Sequence, residues 1–218
     1  MNTTLLDLTA DEVLATTRAV RKRLDLTRPV PRGVVEECMA LAMQAPNGSN
    51  MNSWRFMAVD DRETIERMAA IYGAAMDDHI RSLGDAVGDD YAGASIPGAG
   101  EIGSSVQYLR EHMHEVPLLM IPLFAGRPEG ASVFMQASMW GSVVQAAWSF
   151  MLALRPRGLG SCWTTVHLCR EREMGELLGI PSRYTQVGLL PVAYTLGTDF
   201  RRAWRRPVSE VLDWNRFD

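Results

Sequence analysis

The sequence predicts a globular fold that mixes helices with strands, and three observations carry this. Apolar residues make up 47% and charged residues 22% of 218 positions, the balance of an ordinary globular protein long enough to bury a substantial core. Helical periodicity, with apolar side chains three and four apart, recurs over residues 31–45 and 62–83. Apolar runs of strand length lie between such segments, at 54–59, 116–125 and 185–196.

Charge and cysteine content narrow the function. A net charge of −4 gives no reason to expect nucleic acid or an anionic membrane as partner. Cys38, Cys162 and Cys169 are odd in number and unpatterned, which points to free thiols in a reducing cytoplasm. The N-terminus lacks a basic-then-apolar signal pattern and reads as mature protein.

Thr9-Ala10-Asp11-Glu12 is a capping box and starts a helix expected to reach Val20, with Val13, Leu14 and Thr17 inward. It runs into four cations in six residues, Arg18, Arg21, Lys22 and Arg23. Such a run is a solvated face or an anion grip, because Arg makes bidentate bonds to phosphate oxygens. Pro31 suits the first turn of the next helix, where Val34, Val35, Cys38, Leu41, Ala42 and Ala45 share a face. That helix stops at Pro46.

Residues 45–56, Ala-Pro-Asn-Gly-Ser-Asn-Met-Asn-Ser-Trp-Arg-Phe, join this helix to a strand at 54–59. Gly48 permits positive φ, and Asn47, Ser49, Asn50, Asn52 and Ser53 offer hydrogen-bonding groups beside Trp54. Such a loop either lines a flat, polar-edged ligand or is a capped turn. After the helix at 62–83, residues 84–103 are rich in Gly, Ala and Asp and read as a surface segment that could serve as a lid. Helix is expected again at 104–115, then a strand at 116–125 whose Pro117 and Pro122 suggest an edge or a strand end.

Residues 132–154 carry no charge and could span a bilayer by length. Ser138, Ser142, Gln145 and Ser149 fall along one stripe, so a fully buried core helix is expected, part of it covered by a second subunit. Gly158 and Gly160 suit a C-cap and turn before a short strand at 161–165. A dinucleotide fingerprint is excluded, since the third glycine and the acidic partner are missing. A P-loop is excluded because no Gly-x-x-x-x-Gly-Lys run exists. His112 and His114 point to different helical faces, which argues against a metal site. A short helix at 170–178, a strand at 185–196 and an aromatic tail at 198–218 complete the chain.

Four segments in this order resemble the FMN-dependent nitroreductase family. These are Arg18-Ala19-Val20-Arg21, residues 45–56, Gly158-Leu159-Gly160-Ser161-Cys162-Trp163 and Arg205-Arg206-Pro207. The resemblance covers nearly the whole chain and implies one domain, 1–218, of α+β class. It implies a central mixed, mostly antiparallel sheet wrapped by helices. An intertwined homodimer follows, with the arm at 198–218 on the partner and FMN at the interface.

Residue by residue, the resemblance implies that Arg18, with the backbone of Ala19 and Val20, holds the FMN phosphate, closed by Arg205 and Arg206. Arg21 faces the pyrimidine edge. Pro46, Asn47, Gly48, Asn50 and Asn52 come from the other subunit. Trp163, Thr164 and Thr165 provide the segment near flavin N5. Ala19 stands where the family has Ser, Asn52-Ser53 where it has Gln-Pro, and Thr164-Thr165 where Gly is frequent. The implied activity is ping-pong reduction of nitroaromatic or quinone-like compounds with NADPH or NADH. Alternatives on the same fold are flavin-dependent dehalogenation, flavin cleavage, or non-catalytic FMN sequestration.

Overall fold

The computed structural model describes residues 5–86 and 99–217. Five strands build the sheet: β1 (Trp54–Val59), β2 (Leu118–Ala125), β3 (Leu159–Ser161), β4 (Tyr184–Gln186) and β5 (Leu190–Tyr194). The path is β1-β2-β5-β3, with β4 also paired to β2, and every ladder between these strands is antiparallel. One parallel bridge, Ala19 to Ser161, adds the basic segment to the β3 edge. The fold class is α+β, as the resemblance implies.

Alternation along β2 divides the core. Leu119, Ile121 and Leu123 join a cluster with Ile65, Met68 and Tyr72 of α3 (Arg62–Ala86). Leu118 and Met120 join another with Val34, Val35 and Cys38 of α2 (Arg32–Ala42) and Phe150 and Leu154 of α5 (Val133–Leu154). The sheet is thus covered on both faces.

Several expectations need correction. Helix α1 (Ala10–Thr16) has its capping box but buries no residue, and Leu14 is exposed. It ends before the basic run because Thr17 turns extended and Ala19 enters the sheet edge. In α2 Leu41 is exposed. Strand β2 is central despite its prolines. The Ala125 N–H donates to Ser53, so by alternation the Phe56–Pro122 pair is non-hydrogen-bonded on the β1 side. Pro122 therefore turns its nitrogen toward the other side, where pairing passes from β5 to β4. There its carbonyl accepts from Val187 N at 3.0 Å.

The expected last strand is two strands, split at 187–189, where a Cβ on Gly188 would lie 3.1 Å from the Trp163 indole. The strand expected at 161–165 begins earlier, as β3. Of the proposed lid, 84–86 end α3 and 99–103 begin α4 (Ala99–His112); its middle, with Asp89, Asp90 and Tyr91, lies outside the described residues. Helix α6 (Glu171–Leu178) closes on Gly179 at φ 64°. Helix α5 is not fully buried: Val133, Phe134, Met135, Val144 and Trp148 are exposed. It is the one described helix long and apolar enough to cross a membrane, and half of its apolar window is buried in this chain.

Candidate functional site

The parallel bridge at Ala19 decides where the basic run points. Val20 N donates to Ser161 O at 2.9 Å, and the Val20 side chain enters the core. Strand alternation then leaves Ala19 and Arg21 on the opposite face, toward a cleft of about 660 Å³. Thr17, Arg18, Ala19 and Arg21 form one wall, and Trp163, just past β3, forms the floor. Glu101, Ile102 and Ser105 of α4, Val144, Trp148 and Met151 of α5, and Ala203 and Arg205 of the C-terminal arm complete it.

The cations of the basic run divide their work. Arg18 Nη1 donates to Arg201 O at 2.6 Å, beside the cleft. Arg21 Nη1 reaches Ser105 Oγ at 3.3 Å and Lys22 Nζ reaches Ser104 Oγ at 3.0 Å, so both hold α4 over the cleft. Arg23 turns away to the carbonyls of Leu196 and Asp199.

Beneath the cleft, Thr164 makes a two-way bridge to Leu189: its N–H donates to Leu189 O at 3.1 Å and its carbonyl accepts from Leu189 N at 2.7 Å. Its hydroxyl is bonded to the buried Tyr72 hydroxyl at 3.2 Å. Burial raises the Tyr72 phenol above its ordinary range. Burial likewise pushes Cys162 up to about 11, despite nearby Arg21, and Cys38 up to about 11. Both stay thiols at neutral pH and neither is an activated nucleophile. Thr165 is exposed and precedes the short helical segment Val166–Arg170.

The loop after α2 lies elsewhere. Asn47 and Gly48 line a second, smaller cleft of about 310 Å³ with Met51, Phe124, Met135, Ser138 and Ser142. Gly48 N donates to Ser142 Oγ at 2.9 Å, and Ser142 Oγ donates to Ser138 O at 2.7 Å. Asn52 N donates to Asn47 Oδ1 at 2.9 Å, and Asn52 Nδ2 donates to Asn50 O at 2.9 Å. Ser49, Asn50 and Asn52 all adopt positive φ, 51–53°, a conformation costly for residues with a Cβ and concentrated at functional segments.

Within one chain, therefore, Arg18, Ala19, Arg21, Trp163 and Arg205 meet in the larger cleft. Pro46, Asn47, Gly48, Asn50 and Asn52 do not line it. Arg206 is exposed on the arm, outside the lining. Glu101 and Ile102 fall in the segment expected as a lid, whereas sequence reading missed Ser105 of α4 and the Trp148 wall. The uncharged α5 run announced burial and disguised an aromatic facing a cleft.

The cleft fits a planar, anionic cofactor. Arg18, Arg21 and Arg205 bring three cations to its lining, Trp148 and Trp163 supply flat apolar surface, and its volume lies in the ordinary range of small-molecule sites.

A Methanothermobacter thermautotrophicus protein provisionally named NADH dehydrogenase/NAD(P)H nitroreductase is 24% identical over 187 residues, 84% of this chain and 75% of that one. The structure of a BluB-like flavoprotein from Clostridium difficile 630 matches with a TM-score of 0.72 at 17% identity, covering 96% of this chain and 100% of that one. Iodotyrosine deiodinase, solved with FMN and 3-iodo-L-tyrosine, matches with a TM-score of 0.71 at 20% identity, over 96% and 100% of the two chains. Residues 14–194 match the Nitroreductase family, and with its motifs, sheet and cleft in that order the chain belongs to this family.

Proposed function

We propose that this protein is a homodimeric, FMN-dependent oxidoreductase that uses NADPH or NADH to reduce nitroaromatic or quinone-like compounds. The observation that carries the reading is the convergence of Arg18, Arg21 and Arg205 with Trp148 and Trp163 around one cleft. FMN supplies the redox chemistry, since its N5 can accept a hydride from a nicotinamide and pass it to a second molecule.

The chain's own residues bind and tune. Arg18 and Arg205 hold the phosphate through charge-assisted bonds. Arg21, kept in place by Ser105, supplies a fixed positive charge that favours electron density arriving on the ring. Trp148, Trp163 and Met151 exclude water from one side. No side chain need act as nucleophile, in keeping with two buried thiols held protonated. The strained 47–52 loop serves the cofactor of the second subunit, and the exposed apolar residues of α5 and the arm form the contact between copies.

The test is direct. Purified protein should be yellow with bound FMN, and NADPH or NADH should bleach it rapidly. A nitroaromatic or quinone should then restore the colour. A colourless protein, or bound flavin that neither nicotinamide reduces, would overturn the proposal.

A further inference from the structure

The C-terminal arm leaves the body of the protein through a cluster of arginines drawn from two parts of the chain, the basic run and the end of α5. Arg23 donates from Nε to Leu196 O at 2.9 Å and from Nη1 to Asp199 O at 2.8 Å. Arg155, just past α5, donates from Nη2 to Thr198 O at 2.9 Å and from Nε to Thr16 Oγ1 at 3.0 Å. Arg18 donates to Arg201 O. Between them lies one aromatic ring: the guanidinium carbons of Arg23 and Arg155 sit 4.1 and 5.1 Å from the Phe200 centroid.

This arrangement is costly for a mere turn. Arg155 is only 6% exposed, and among the described residues no carboxylate forms an ion pair with it. A desolvated cation needs compensation, and here two oxygen acceptors, the π face of Phe200 and the nearby Asp199 charge provide it. What the cluster determines is direction. Immediately beyond it, Ala203 and Arg205 line the same cleft as Arg18 and Arg21.

We infer that Phe200, clasped by Arg23 and Arg155, is a positioning residue for the anion end of the cofactor site. It sets the exit of the arm so that Arg205 reaches the cleft that Arg18 also lines. The inference rests on the FMN reading and adds to it that phosphate recognition depends on a ring that does not line the cleft.

Riboflavin, which is FMN without its phosphate, separates positioning from general stability. Dissociation constants for both flavins would be measured with the apoprotein by fluorescence quenching, in the parent and in Phe200→Leu, Phe200→Tyr and Arg23→Gln. Phe200→Leu should weaken FMN roughly tenfold, the size of one partly desolvated cation–π pair, and leave riboflavin unchanged. Phe200→Tyr keeps the π face and should restore FMN affinity. Arg23→Gln removes a half-buried cation with little risk to folding and should show the same selective loss. Equal weakening of both flavins, or no change in either, would overturn the inference while leaving the FMN proposal standing. A parent that binds neither flavin would overturn both.

Discussion

Gly160 shows how much a single missing side chain can decide. A Cβ there would lie 2.7 Å from Thr195 Cγ2 and 2.9 Å from Val20 Cγ2, so the basic segment can lie against β3 only because this residue is bare. Gly160→Ala should cost about 1–3 kcal/mol by overpacking and also weaken FMN retention, read from the urea midpoint and from flavin content. Gly158, two residues earlier, is needed for a different reason, its φ of 70° after Arg155–Arg157. His167 is fully buried with neither ring nitrogen hydrogen-bonded, and burial pulls it from 6.5 down to about 4. Its folded value is depressed, so the unfolded chain takes up a proton first as pH falls. Stability attributable to this residue is therefore present above pH 6.5 and lost progressively toward pH 4. His167→Gln should flatten the pH dependence of the urea midpoint in that window relative to the parent; unchanged slopes would refute the assignment.

At the scale of elements, the 47–52 loop is held by its own side chains and by α5. Asn52 is bonded within the loop, to Asn47 and Asn50, where the resemblance implies a bond to flavin. The bond to Asn47 comes from the Asn52 backbone N–H, and the short Asn52 side chain closes on the Asn50 carbonyl two residues back. Asn50, at φ 53°, combines backbone strain with a proposed flavin contact, and two substitutions part these roles. Asn50→Gly relieves the strain and should raise the melting temperature while lowering FMN retention. Asn50→Ala should lower both. If the Gly variant retained FMN as well as the parent, the side chain would have no part in the site. Helix α1 adds a different lesson. Its capping box forms as the sequence dictates, yet it buries nothing, because capping specifies where a helix starts and not what it packs against.

For the whole molecule, the exposed apolar surface is the main fact. Val133, Phe134, Met135, Val144 and Trp148 on α5, with Trp204, Val208, Val211, Leu212, Trp214 and Phe217 on the arm, stand open in one chain. Large apolar side chains exposed in such number mark an interaction surface. Two copies of 24.2 kDa are expected to associate through it, measurable by sedimentation. Removing residues 207–218 should weaken the dimer and lower FMN content together. A parent that sediments as a monomer at micromolar concentration would count against the two-site arrangement.

Much of this was readable from residues alone, and the division has a physical reason. Helix periodicity, the α1 capping box, the glycine stops and the four flavin-type segments are local, so spacing along the chain reports them. The central position of β2 was not, since Pro122 is compatible with an interior strand only because its partner changes at that point. Which residues of α5 stay open in one chain was equally hidden, because an uncharged helix looks the same whether its own core or another subunit covers a given face. The convergence of Arg18, Arg21, Trp163 and Arg205 likewise belongs to the tertiary structure. Their order in sequence says nothing of distance until the bridge at Ala19, the tight approach at Gly160 and the clasp on Phe200 bring them to one cleft.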